Sequence, residues 1–134
     1  MCKFLDYMRS KNQNIKLEAL QVELSVCKVA AFTPEMLLHP FTFTATTDEE
    51  CSLVCPMQNK PAETIACEDG WRAFRVVGVL DFSLIGILSQ LSSLLAEAKI
   101  GIFAISTYNT DYILVKQENW EKALGVLKDH YDIE

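Results

Sequence analysis

The chain has 134 residues, half of them hydrophobic and 22% charged, with a net charge of -6. That composition suits a folded chain with a respectable core, as one ordinary domain or two small modules sharing a sheet, and excludes a disordered one. The 12 Lys and Arg residues form no basic stripe, which argues against a nucleic-acid partner and against an anionic membrane surface.

Residues 1–19 read as an N-terminal extension; 1–16 lack the apolar region of a signal peptide, and the longest apolar run of the chain, Ile100 to Ile105, is far short of a membrane span. A cytoplasmic location is therefore expected. Residues 20–30, "LQVELSVCKVA", read as a strand. In the segment that follows, "AFTPEMLLHP", Pro34 can start one short helical turn and Pro40 stops it. Residues 43–55, "FTATTDEECSLVC", read as strand, polar turn, strand, with Phe41, Phe43 and Ala45 alternating with threonines. The stretch 56–70 carries two of the four prolines and is the natural junction between halves.

In the second half, "WRAFRVVGVL", residues 71–80, is a strand by its β-branched and aromatic content. After the corner "LDFSLIG", residues 80–86, the residues Leu84, Ile87, Leu88, Leu91, Leu94, Leu95 and Ala98 recur at the spacing of one helix face, with Ser89, Gln90, Ser92, Ser93 and Glu97 opposite and Ser83 at the cap position. "GIFAIST", residues 101–107, and "YILVK", residues 112–116, form a predicted hairpin through a polar turn. "ENWEKALGVLK" predicts a helix with Trp120, Ala123, Leu124 and Leu127 inward and a Glu118–Lys122 pair outward, and "YDIE", residues 131–134, a short edge strand. The order β-α-β-β-α-β is ferredoxin-like: an α+β fold with an antiparallel sheet and both helices on one face.

Residues 43–55 overlay residues 103–115 without a gap: Phe43 meets Phe103, Thr46 meets Ser106, and Thr47 meets Thr107. The first half thus reads as a degenerate copy of the second whose first helix has nearly vanished.

The chemistry on offer is spare. Five cysteines, Cys2, Cys27, Cys51, Cys55 and Cys67, accompany only two histidines, His39 and His130, so no zinc-like spacing is completed and reduced core thiols are expected, with no metal and no cofactor. Ser83 lacks the flanking glycines and the histidine of a nucleophile elbow, and the five glycines are too dispersed for a phosphate-binding loop, so no catalytic residue is predicted. The corner does offer a helix N-terminus, whose unpaired N–H groups favour a small carboxylate. Gly86 removes a side chain where either a ligand or a packed backbone would approach, and its spacing leaves both open. Asp111 in the "STYNTDY" turn is either an ordinary turn residue or the partner of a ligand ammonium group. The hairpin is expected at the sheet end opposite the corner, so that two modules side by side would be needed to bring them together.

"GWRAFRVVGVLDFSLIGILSQL", "AEAKIGIFAISTYNTDYILVK" and "TTDEECSLVCP" together resemble the tandem ACT-domain proteins of about this length, relatives of the ACT modules in aspartate kinases and in arginine-sensing proteins of animal cells. The resemblance runs from about residue 20 onward and implies a degenerate ACT-like module over residues 20–62 and an ACT domain over 63–134. It implies modules that pair, commonly within a homodimer, and an amino acid or similar metabolite bound at a module interface. The binding loop maps onto Asp81, Phe82, Ser83, Leu84, Ile85 and Gly86, and the strand and turn motif onto Thr107, Tyr108 and Asp111. The family usually has proline at Val79, aspartate at Asn109 and glycine at Lys99, departures that bear on ligand preference. The expected function is a non-catalytic sensor of a small amino acid. The alternative is a ligand-free module that dimerises or docks on a partner; a kinase reading has no phosphate-binding loop behind it.

Overall fold

A computed structural model describes residues 15–77 and 86–134. The chain divides into two compact units, one holding the described residues up to Leu20 together with Ala73–Glu134, the other Gln21–Arg72. The strands in chain order are β1 (Lys16–Ala19), β2 (Leu24–Val29), β3 (Phe43–Thr46), β4 (Cys51–Pro56), β5 (Ala66–Val77), β6 (Phe103–Ser106), β7 (Asp111–Lys116) and β8 (Asp132–Ile133), and the described helices are α1 (Ile87–Glu97) and α2 (Trp120–Lys128).

The unit containing the C-terminus is α+β and ferredoxin-like, as the sequence predicts. Its strands run in the order β6-β7-β5-β1-β8. Phe74 and Val76 of β5, Ile113 and Val115 of β7 and Leu17 of β1 point to one face. There they meet Ile87, Leu91, Leu94 and Leu95 of α1 and Trp120, Ala123 and Leu127 of α2 in a single buried cluster. Both helices therefore cover the same face. Phe74 and Trp120 stack at 4.2 Å between centroids with planes 16° apart. Each of the buried large side chains contributes about 1.5–3 kcal/mol by leaving water.

Two details of this unit differ from expectation. Lys16–Ala19, predicted to be part of an extension, form a strand antiparallel to β5, with Leu17 opposite Val76 and Glu18 opposite Arg75. Since β1 occupies the place beside β5, the C-terminal β8, which keeps the direction antiparallel to β5, pairs with β1 in parallel, Leu17 opposite Ile133. The sheet is thus not wholly antiparallel. On α1, Gln90 is buried although it was expected on the polar face, and Leu88 is only half-buried. Gln90 sits three residues after Ile87 and one before Leu91, inside the buried stripe, whereas Leu88 falls on its flank.

The last turn of α1 ends in a Schellman arrangement: Lys99 N–H donates to the Ala96 carbonyl at 2.9 Å and Ile100 N–H to the Leu95 carbonyl at 2.9 Å. Lys99 adopts φ 62°, the left-handed conformation this motif needs. The glycine that the resemblance leads one to expect at this position therefore has a backbone reason.

The unit Gln21–Arg72 is a sheet in the order β3-β4-β2-β5. The place of a first helix is taken by a 3-10 turn, Pro34–Leu37, with Pro34 at its first position. One cluster buries Cys27, Val29, Leu53 and Cys55, with Phe32, Met36, Cys51 and Cys67 packed against it. Cys27, Cys51, Cys55 and Cys67 are all free thiols.

The repeat is carried by hydrogen-bond register as well as by sequence. In β3–β4 the pairs are Phe43↔Val54, Thr44↔Leu53, Ala45↔Ser52 and Thr46↔Cys51. In β6–β7 they are Phe103↔Leu114, Ala104↔Ile113, Ile105↔Tyr112 and Ser106↔Asp111, the same pairs at the same constant offset. Each hairpin is followed by a 3-10 turn at matching positions, Met57–Asn59 and Gln117–Asn119. After the second turn the chain continues into α2; after the first, residues 60–65 form no helix.

Candidate functional site

The β6–β7 hairpin is held by its own side chains. Thr107 N–H and Thr107 Oγ1 both donate to the Thr110 carbonyl, at 2.8 and 2.9 Å, and Thr110 N–H donates to Thr107 Oγ1 at 3.3 Å. Thr47 closes the β3–β4 turn the same way: its N–H donates to the Glu50 carbonyl at 2.9 Å, and Glu50 N–H donates to its Oγ1 at 3.1 Å. A threonine at this turn position competes for local backbone groups and so fixes the turn in both copies.

Thr110 also bonds outside its turn: its Oγ1 donates to the Val76 carbonyl at 2.6 Å. Val76 stands one residue before the end of β5, from which the corner leaves. The hairpin and the corner therefore begin at the same end of the sheet, and the expectation that they lie at opposite ends is overturned. The physical reason is the helix: α1 carries the chain back across the sheet, so β6 starts at the far end and finishes, with its turn, where β5 finishes.

Asp111, the first residue of β7, is half-buried, and its Oδ1 accepts a hydrogen bond from Ser106 Oγ at 2.6 Å across the register pair. The bond fixes the carboxylate's rotamer and leaves Oδ2 available as an acceptor. Thr107 is exposed and its hydroxyl is committed to the turn; Tyr108 is fully exposed. Asp81, Phe82, Ser83, Leu84 and Ile85 lie outside the described residues.

Gly86 has φ 95° and ψ -5° and is the residue that caps α1. This corrects the assignment of Ser83 as the cap: the helix starts at Ile87, and its first described internal bond runs from Gln90 N–H to the Gly86 carbonyl at 2.9 Å. A left-handed cap with no side chain supplies no hydroxyl to the first turn, so the amides of Ile87, Leu88 and Ser89 have no acceptor within the helix. Sequence reasoning missed Ser106 and Thr110. Ser106 could have been found from its place in the repeat opposite Thr46; Thr110 could not, because its partner is a backbone carbonyl 34 residues away.

On the sheet face away from the helices, Arg75 Nη2 and Nε donate to Glu18 Oε1 at 2.6 and 3.2 Å, and the guanidinium lies 6.0 Å from the Tyr112 ring centroid. Among the described residues no group of His, Cys, Asp and Glu forms a metal-binding cluster, and no helix is long and apolar enough to cross a membrane.

The sheet is ferredoxin-like, with its first strand end and its hairpin turn gathered at one end. The sequence model of the ACT domain matches residues 66–129. A structural-genomics target protein from Agobacterium tumefaciens is similar over 90% of this chain and 92% of its own, at 27% identity and a TM-score of 0.82. A Vibrio cholerae protein described as a possible transport protein covers 94% of this chain and 97% of its own, at 21% identity and a TM-score of 0.74. The regulatory subunit of aspartate kinase from Thermus thermophilus, in its ligand-free form, shares the fold at 10% identity with a TM-score of 0.60, over 89% of this chain and 97% of its own. No curated protein matches the sequence.

Proposed function

We propose that the protein is a cytoplasmic, non-catalytic sensor that binds a free amino acid where two ACT-type modules face each other. The ligand's carboxylate docks on backbone N–H groups of Ser83 to Ile85 and on the first turn of α1, where the helix dipole favours an anion. Asp111 Oδ2 receives the ammonium group. Phe82 and Tyr108 wall the ligand side chain, Asp81, Leu84 and Thr107 border it, and Gly86 leaves room for it. Helix-end electrostatics contribute only about 0.3–1 kcal/mol at an exposed site, so useful affinity needs enclosure. A fully exposed Tyr108 supplies an apolar surface for that enclosure once a second copy of the chain covers it.

The observation that carries this reading is the Thr110–Val76 bond, which brings the turn holding Asp111 to the strand end where the loop begins. Calorimetry against the twenty amino acids tests it. Binding of one or a few of them, lost in Asp111→Ala and in Gly86→Val, is expected. Silence across the panel from a folded dimer would leave the protein as an interaction module instead.

A further inference from the structure

The unit Gln21–Arg72 holds a group of thiols that the sensor reading does not use. Cys27 on β2 and Cys67 on β5 are direct antiparallel partners. Their Sγ atoms stand 3.3 Å apart. Directly paired residues of antiparallel strands have Cα atoms about 4.5 or 5.5 Å apart. Both spacings fall inside the window of about 4.4–6.8 Å that a disulfide accepts. The two sulfurs need only rotate and close, with no movement of the strands. Cys55 on β4 lies diagonally across from Cys27, opposite Ser25, and Cys27 is directly opposite Leu53 on that side. Cys51 lies further along the same strand, opposite Val29.

We propose that Cys27 and Cys67 form a redox modification site, closed to a cross-strand disulfide by a small organic disulfide of the glutathione type. Cys67 is half-buried whereas Cys27 is 3% exposed, so Cys67 is the group that meets the reagent. Its thiolate attacks one sulfur of the reagent, the reagent's S–S bond breaks, and one small thiol leaves, giving a mixed disulfide at Cys67. Cys27 then attacks the Cys67 sulfur and expels the second small thiol. In total the protein dithiol loses two hydrogens and the reagent disulfide gains them as two thiols.

The surroundings set the pace of the first step. Cys67 donates to Asp69 Oδ1 at 3.3 Å, and the same oxygen accepts from Ser25 Oγ at 2.6 Å and Lys60 Nζ at 3.2 Å. Burial, the bond with Cys27 and the Asp69 carboxylate push the Cys67 thiol up to about 12, and burial raises Cys27 and Cys55 as well. The pair is therefore slow at neutral pH, and speeds up with alkalinity as the thiolate fraction grows.

The full-length chain is incubated with mixtures of oxidised and reduced glutathione, quenched with an alkylating agent and digested without reduction. A linked pair of peptides carrying Cys27 and Cys67 is expected, with a rate that rises about tenfold per pH unit from 7 to 9. The link should be lost in Cys67→Ser, whose half-exposed site tolerates the change, and kept in Cys51→Ser and Cys55→Ser. Asp69→Asn should accelerate it severalfold. Full alkylation of Cys27 and Cys67 in every mixture, a link through Cys51 or Cys55, or a reaction that stops at the mixed disulfide would each overturn the proposal.

Discussion

Thr110 Oγ1 donates a 2.6 Å hydrogen bond to the carbonyl of Val76, joining a hairpin turn to the end of a strand 34 residues earlier. Thr110→Val keeps the branched shape and removes the donor. The Val76 carbonyl then loses that partner, and a loss of about 0.5–1.5 kcal/mol is expected in urea unfolding. If Asp111 receives the ligand, the same variant weakens amino-acid binding while Ser106 still holds the carboxylate. Unchanged stability would show that water replaces the hydroxyl without cost.

Two residues with left-handed backbone bracket α1, and they predict opposite responses. Gly86 at φ 95° has its natural residue, so Gly86→Ala should destabilise by about 1–2 kcal/mol. Lys99 at φ 62° does not, so Lys99→Gly should stabilise by about 1 kcal/mol, with the Schellman bonds to Ala96 and Leu95 intact. Thermal and urea unfolding of the two variants side by side checks both signs.

The elements with a strong period were legible. The stripe through Ile87, Leu91, Leu94 and Leu95 marks α1, the alternation at Phe41, Phe43 and Ala45 and the apolar run 101–107 mark the two hairpins, and the gapless overlay of 43–55 on 103–115 matches their shared register. What escaped had no local signal. The residue type of Ser83 and its place before the periodic run suggest a cap, but the cap of α1 is set by the Gly86 backbone, and a torsion leaves no periodic trace. The polarity of Gln90 suggests an outward place, although its spacing from Ile87 puts it on the buried stripe. The end of the sheet at which the hairpin lies follows from chain direction through α1, a step that periodicity does not encode. The Cys27–Cys67 pairing depends on a register between strands 40 residues apart.

β1 escaped for a different reason, and it yields its own test. Lys16, Leu17, Glu18 and Ala19 are all good helix formers, so nothing local marks them as strand. One side chain decides their place: Leu17 is completely buried in the cluster that also holds Phe74, Val76, Leu95 and Leu127. Leu17→Ala is expected to cost about 2–5 kcal/mol. Glu18→Gln, which weakens only the partly exposed pair with Arg75, should cost about 0.2–1 kcal/mol. Equal, small effects from the two would mean that β1 is a dispensable edge.

Asp69 predicts how the unit Gln21–Arg72 responds to acid. Ser25, Lys60 and Cys67 all donate to its carboxylate, at 2.6, 3.0–3.2 and 3.3 Å, and these bonds hold it down to about 2, against an ordinary 3.8. Between those two values the unfolded chain binds a proton that the folded chain does not. Stability is therefore fully present above about pH 4 and is lost as the pH falls toward 2. Asp69→Asn removes the titrating group, so its stability should be lower than that of the parent at neutral pH and flatter between pH 4 and 2. Urea midpoints across that range check it. A parent curve no steeper than that of Asp69→Asn would mean that the carboxylate is solvated as an ordinary surface group.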